Sequence, residues 1–382
     1  MPQTVLIRTL IASLFIAACA MNTWAAGQKH YKLKKPAKAV ATAPDGPSYA
    51  QRVDAMQAAD EIADARNLDP AWVRQTLAQA RYIPAIAKAI TPPAVGVTKN
   101  WAAYRARFIE PRRIQAGVAF WLAHRATLRR AERETGVPPE VIVGVLGVET
   151  IYGQNMGNYR VLDALATLAF DFPASHPRAA ERSVYFRSEL AQYLSLMQRT
   201  GIDPTSLRGS YAGAMGLPQF MPTSWAKYAI DFDSDGKVDL FTSAADAIGS
   251  VAEYFKAFGW QPGLATHFPV SLDAATLNMD TLMAPDILPT FSVASFQANG
   301  ARLEGDALKH AGKLALIELQ NGDAPPSYVA GTDNFYAITR YNWSSYYAMA
   351  VIELGQAVRQ ALSEKPPVTR SGQATCTAAK AG

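Results

Sequence analysis

Glu149 closes a stretch, residues 138–157 (PPEVIVGVLGVETIYGQNMG), in which every position from Val141 to Val148 is apolar or glycine. A carboxyl at the end of a helix that is apolar all round sits in or beside a dry place. Desolvation penalises its charged form, raises its pKa and makes it a general acid near neutral pH. The plainer alternative is a carboxylate paired with an arginine. Residues 210–225 (SYAGAMGLPQFMPTSW) bring two neutral hydrogen-bonding groups, Ser210 and Gln219, among Tyr211, Phe220 and Trp225. Gly213 and Gly216 permit tight turns and close backbone approach. That mixture suits a sugar, which offers hydroxyls at its rim and an apolar face for stacking; a glycine-rich loop capping a helix is the alternative.

Asp231, Asp233, Asp235, Gly236, Lys237 and Asp239 match positions 1, 3, 5, 6, 7 and 9 of an EF-hand calcium loop. The pattern alternates oxygen ligands around a hard cation, with glycine at the sharp turn. Thr242 stands at position 12 in place of glutamate, and Asp246 can supply that carboxylate if the loop is longer. Five aspartates so close would otherwise repel one another, although a solvated acidic turn is the alternative. No activatable nucleophile accompanies the loop, so Ca2+ there is expected to be structural, and no organic cofactor is expected. The aromatic and amide groups of Tyr341, Asn342, Trp343, Tyr346 and Tyr347 suit either a cleft wall or a core edge.

These groups need elements to hold them. Pro138 and Pro139 with Glu140 make a helix start, and Gly136 caps a preceding helix. A helix puts Ile142, Val145 and Leu146 on one face with Glu149, while the β-branched run Val141–Val143 leaves a buried strand open. Residues 51–135 read as helical: a stripe of Val53, Met56, Ile62 and Leu68, a restart at Asp69-Pro70 with Trp72, Val73 and Leu77, a break at 91–99, then one long helix over about 114–135. Tyr104 falls in an aromatic set with Trp101 and Phe108 that reads as core. Residues 161–170 form an amphipathic helix with Asp163 as a cap or first-turn acid. Further helices are expected over about 179–199, from Pro222, and over 247–260. The runs His267–Leu272, Leu314–Gln320 and Phe335–Tyr341 are β-like and make 263–335 a small β-rich insertion.

The 382 residues are 49% apolar and 18% charged with a formal charge of +5, an ordinary globular composition. The mild positive charge suits an anionic surface or polymer, and no nucleic-acid motif appears. Residues 1–26 read as an export signal, with Arg8 ahead of an apolar run too short to span a bilayer. Ile16-Ala17-Ala18-Cys19 resembles a lipobox that would leave Cys19 acylated; ordinary signal peptidase could instead cut at Ala18-Cys19-Ala20 or Thr23-Trp24-Ala25. Residues 27–50, with five lysines among alanine and proline, form a linker suited to a spacer or to a tether along an anionic envelope. Cys376 is the other cysteine, so no internal disulfide is expected in a mature chain.

Taken together, GVETIYG, SYAGAMGLPQFMP, the DxDxDG loop and ITRYNxSxYYAMAV, in that order, resemble the membrane-bound lytic murein transglycosylase B family over residues 50–362. The resemblance implies a mainly α (α+β) protein with a goose-type-lysozyme-like helical core at 101–262, rejoined at 336–362. It further implies a helical N-terminal subdomain at 51–100, the β-rich insertion at 263–335, an EF-hand-like loop at 231–246 and a disordered tail at 363–382. It makes Pro139–Thr150 a helix. It implies cleavage of the β-1,4 bond between N-acetylmuramic acid and N-acetylglucosamine in peptidoglycan, leaving a 1,6-anhydromuramoyl end, with Glu149 the single catalytic acid/base. Cleft residues carry over onto Tyr104, Tyr185, Ser210, Gln219, Tyr341, Asn342 and Tyr347. Calcium ligands carry over onto Asp231, Asp233, Asp235, the backbone carbonyl of Lys237, Asp239 and Asp246. The expected setting is a Gram-negative periplasm, with glycan strands as partner, the outer membrane reached through a lipid anchor, and other cell-wall enzymes nearby. The rivals are a hydrolysing muramidase in which Asp163 or Asp171 positions water, and a non-catalytic wall-binding protein.

Overall fold

The structure, a computed structural model of the chain, describes residues 46–91 and 99–364. The expected signal, Cys19, most of the linker and the tail from 365 lie outside the described residues. Helices α1 (Val53–Arg66), α2 (Pro70–Ala78) and α3 (Pro84–Ile90) form the N-terminal part. Asp69 caps α2 as its sequence demands, accepting from the Ala71 and Trp72 N–H groups. The buried face of α1 is Ala55, Ala58, Ala59 and Ala63, whereas Val53 is 82% exposed. Of the expected stripe, Met56, Ile62 and Leu68 pack partly buried against the core and Val53 alone does not, while the alanines let α2 pack close. The linker also ends earlier than expected, because Tyr49 is buried and its N–H donates to Ala80 O at 3.0 Å.

Helices α4 (Trp101–Arg105), α5 (Pro111–Ala123), α6 (Arg125–Thr135), α7 (Pro139–Thr150), α8 (Val161–Phe170) and α9 (Ala179–Thr200) follow. The single long helix expected over 114–135 is two, broken where His124 leaves helical geometry at φ −113°, ψ 23°. α7 is a helix and not a strand; Gly136 (φ 74°) ends α6 and Pro139 starts α7. Every α7 residue is buried except Glu140 and Glu149. α8 is buried from Val161 to Ala169, so it is a central helix and not an amphipathic one. A short ladder joins β1 (Tyr159–Arg160) to β2 (Arg208–Gly209). Next come α10 (Pro222–Tyr228) and α11 (Ala244–Ala257).

The insertion holds β3 (His267–Pro269), β4 (Ser271–Leu272), α12 (Met279–Met283), α13 (Val293–Ala298), β5 (Ala301–Arg302), β6 (Ala315–Asn321) and β7 (Ala324–Gly331). Strands β3-β7-β6 form one antiparallel sheet, and β4 pairs with β5. The sheet divides two cores: Ala315, Ile317 and Leu319 join the main one, while Leu314, Leu316 and Ala330 pack with Leu282 and Phe296. This is the period-2 alternation of a strand buried on both faces. The run Phe335–Tyr341 is helix, not strand: α14 (Asp333–Tyr341) starts at a Thr332 cap and turns Phe335 and Ile338 to one buried face. α15 (Ser345–Ser363) then lies against α7.

The backbones of α7 and α15 touch. A Cβ on Gly144 would lie 2.2 Å from Val351 O, and one on Gly355 would lie 2.0 Å from Glu140 O. Neither obstacle is a movable side chain. Gly144→Ala is therefore expected to destabilise the protein by about 1–3 kcal/mol through overpacking, read as a lowered urea midpoint. An unchanged midpoint would show that the two helices can separate freely.

Candidate active site

Glu149 sits in the last turn of α7 and is half-buried. The chain leaves that helix through two consecutive left-handed residues, Ile151 (φ 52°) and Tyr152 (φ 56°). A β-branched residue with positive φ is a true outlier, and such strain gathers at functional sites. The turn is held because Ile151 N–H donates to Gly147 O and Tyr152 N–H to Leu146 O. Thr150 Oγ1 donates to Leu217 O at 2.9 Å and accepts from Gly153 N–H. The acid-bearing turn is thereby fastened to the glycine-rich loop.

The Tyr347 phenol, on α15, donates to Glu149 Oε1 at 2.6 Å. Tyr341 lies parallel to Tyr347 at 6.3 Å and donates to Pro218 O at 2.5 Å. Burial pushes the Glu149 carboxyl up to about 7, against a smaller lowering by the Tyr347 hydrogen bond. No cation contributes to that shift. The near arginine, Arg113 on α5, donates instead to the Gly147 and Val148 carbonyls at 2.7 and 3.2 Å. Tyr104 is pushed up to about 12, by burial and then by the Glu149 charge, so it shares this site and is more than core. Burial and the same charge hold Tyr341 and Tyr347 well above the ordinary phenol value.

Tyr185, Gln219 and Tyr341 line one groove of about 280 Å³. Gln219 adopts φ 53° and donates its side-chain amide to Met156 O and Gly216 O. Ser210 Oγ accepts from Ala212 and Ala214 N–H, shaping the loop from within. Asn342 is 4% exposed at the junction of α14 and α15. Phe220 and Trp225, at 2% and 5% exposure, are core and not stacking faces for a sugar; Tyr211 stays half-buried. Asp163 is held by Arg160 at 2.6 Å and by Arg81 N–H, and Asp171 by Arg52 and the Tyr49 phenol. Both are ion-pair anchors for the N-terminal part, which leaves the hydrolytic rival without its water-positioning acid. Sequence reasoning missed Glu189 on α9, 1% exposed and lining the groove. Its position three residues after Phe186 and four before Tyr193, on an apolar face, was the available signal.

In the acidic loop, Asp231, Asp233 and Asp246 bring ligand oxygens within 4.8 Å of one another. Ser234 (φ 64°) and Gly236 (φ 94°) make the sharp turn. Asp246 is buried, which raises its pKa, and it accepts from Phe232 and Asp239 N–H at 2.7 Å each. Three carboxylates converging without a basic side chain among them fit a hard cation. Asp235 and Asp239 stand apart from that cluster. Asp235 accepts from Lys237 N–H, and Asp239 caps the next turn through Phe241 and Thr242 N–H.

A lysozyme-like helical body carrying a proton-retaining glutamate bonded to a tyrosine, near a tyrosine-lined groove, defines a glycan-cleaving enzyme of the lytic transglycosylase class. The chain belongs to the family described as Transglycosylase SLT domain, whose model matches residues 51–356. Membrane-bound lytic murein transglycosylase B of Escherichia coli (strain K12) is 39% identical over 323 residues, 82% of this chain and 84% of the relative. The Escherichia coli lytic transglycosylase SLT35, solved with bulgecin A and separately with calcium, is 38% identical, with TM-score 0.73, covering 84% of this chain and 96% of that one. SltB3 from Pseudomonas aeruginosa, solved with NAG-anhNAM-pentapeptide, is 29% identical, with TM-score 0.67, covering 82% and 80%.

The raised Glu149 pKa has a stability consequence with a definite sign. The folded state holds this proton up to about 7 against an ordinary carboxyl value of 4.5, so the stability linked to it is full below 4.5 and is lost as pH rises towards 7. Glu149→Gln removes that loss. It is expected to stabilise the protein at pH 8 by up to about 3 kcal/mol and to change little at pH 4. Melting curves at the two pH values check this; equal shifts at both would contradict it.

Proposed function

We propose that Glu149 is both acid and base in a non-hydrolytic cleavage of peptidoglycan. The protein is a lytic murein transglycosylase acting in cell-wall turnover. Protonated Glu149 gives its proton to the oxygen of the β-1,4 bond between N-acetylmuramic acid and N-acetylglucosamine as the C1–O bond breaks. The substrate's own N-acetyl oxygen stabilises the electron-poor C1. Ionised Glu149 then takes the proton of the muramoyl C6 hydroxyl, whose oxygen closes on C1 to give the 1,6-anhydro end. The carboxyl is back in its starting state, and no water is consumed. A hydroxyl on the same ring has an effective concentration that water cannot match. Hydrolysing glycosidases of the usual kind need a second free carboxylate across the bond.

The observation that carries this reading is the Glu149 carboxyl, proton-loaded to about 7 and bonded to Tyr347. Tyr104, Tyr341 and Tyr347 form the wall beside it, and Tyr185, Ser210, Gln219 and Asn342 are the groups assigned to glycan binding. We place the protein in a Gram-negative periplasm, anchored to the outer membrane through acylated Cys19. On isolated sacculi, the wild type is expected to release muropeptides lighter by one water than reducing-end products. Glu149→Gln is expected to lose roughly 100- to 10,000-fold in rate while still binding glycan. Mass spectrometry that found only hydrated ends would sink the proposal.

Calcium is assigned to Asp231, Asp233 and Asp246, where it would neutralise the loop and take no part in bond cleavage. Calcium at about 100 times its Kd is expected to stabilise the fold by roughly 2.7 kcal/mol, and Asp246→Asn to abolish that gain. Melting temperatures identical in calcium and in chelator would remove the ion from the assignment.

A further inference from the structure

The groove is lined by a buried carboxyl that the cleavage reaction leaves unused. Glu189, on α9, is 1% exposed and lies beside Gln219 and Tyr341. A buried carboxylate survives only where its lone pairs are met. Here Oε2 accepts from Thr223 N–H at 2.9 Å, Oε1 accepts from the Thr223 hydroxyl at 2.6 Å, and the Tyr185 phenol donates as well. With its oxygens so engaged, Glu189 is not a general base waiting for water. It joins two groups that line the groove.

The first is the start of α10. Its cap residue Met221 offers no side-chain acceptor and Pro222 has no N–H, so the first-turn Thr223 N–H is satisfied from α9 by Glu189. That start is also where the loop carrying Gln219 ends, three residues after its left-handed turn. The second is Tyr185, one turn earlier on α9. The Arg182 guanidinium lies over its ring at 4.8 Å, and Glu189 takes its hydroxyl, so the ring is fixed at face and tip.

We propose that Glu189 is a positioning residue for glycan binding, setting Tyr185 and the α10 end of the Gln219 loop at the spacing that grips the strand. This rests on the transglycosylase reading and assigns Glu189 to substrate affinity, with the bond-breaking step left to Glu149. It separates Glu189 from a merely structural acid, because a structural defect would lower the amount of active enzyme and hence kcat.

The test is steady-state kinetics on solubilised, uncrosslinked glycan strands. The variants are Glu189→Ala, Glu189→Gln, Thr223→Val, Tyr185→Phe and the double variant Glu189→Ala/Tyr185→Phe. Glu189→Ala is expected to raise KM about tenfold with kcat within about twofold of wild type, and Glu189→Gln, which keeps one acceptor, to fall between. Adding Tyr185→Phe to Glu189→Ala is expected to raise KM no further, because both remove the same contact. Multiplicative effects of the two, a fall in kcat at constant KM, or unchanged kinetics would each overturn the proposal. Should Glu189→Ala fail to fold, the milder Glu189→Gln, Thr223→Val and Tyr185→Phe give the same KM readout. Hydrated products from wild type, or turnover by Glu149→Gln, would instead defeat the transglycosylase reading and leave the KM coupling to be judged separately.

Discussion

A carboxyl that must give and then take a proton within one turnover needs its two ionisation states close in free energy. The contact from Tyr347 to Glu149 brings them together. Burial alone favours the acid form; a phenol donating to the oxygen favours the anion and limits the rise. An arginine in the same place would have driven the proton off. Arg113 instead donates to the Gly147 and Val148 carbonyls of the helix end. The result is a dry setting that is still polar where polarity matters.

That contact makes demands on the rest of the fold. Tyr347 reaches Glu149 only because α7 and α15 meet backbone to backbone at Gly144 and Gly355. α7 stops just past Glu149 in the strained pair Ile151 and Tyr152, and Thr150 ties that turn to Leu217. The loop so tied carries Gln219, and its far end is held by Glu189. On the proposed reading, the helical body sets the proton chemistry and the loop sets the grip on the glycan.

Much of this was legible in the residues. The apolar run before Glu149 with its proline start marked both the helix and the desolvated acid, because burial and capping act locally. The DxDxDG spacing marked the sharp acidic turn for the same reason. What escaped depended on distant partners. Phe335–Tyr341 has strand-like residues, yet a Thr332 cap and one buried face make it a helix. β7 was hidden by Pro325 and Pro326, which are tolerated because β3 pairs only with Val329–Gly331 and leaves that end free. Phe220 and Trp225 looked like sugar platforms and are core, since stacking groups and packing groups are the same residue types. Glu189 was passed over because its donors come from 34 residues away and from the preceding turn.

The acid and the phenol that tunes it are 198 residues apart, with the whole sheet-bearing insertion between them. A chain made N-terminus first exposes Glu149 well before Tyr347 arrives. Until α15 docks, that carboxyl is an ordinary solvated one, ionised at neutral pH and useless as an acid. A wall-cutting protein built this way is silent while unfinished, and becomes dangerous to its own envelope only once its last helix has closed the fold.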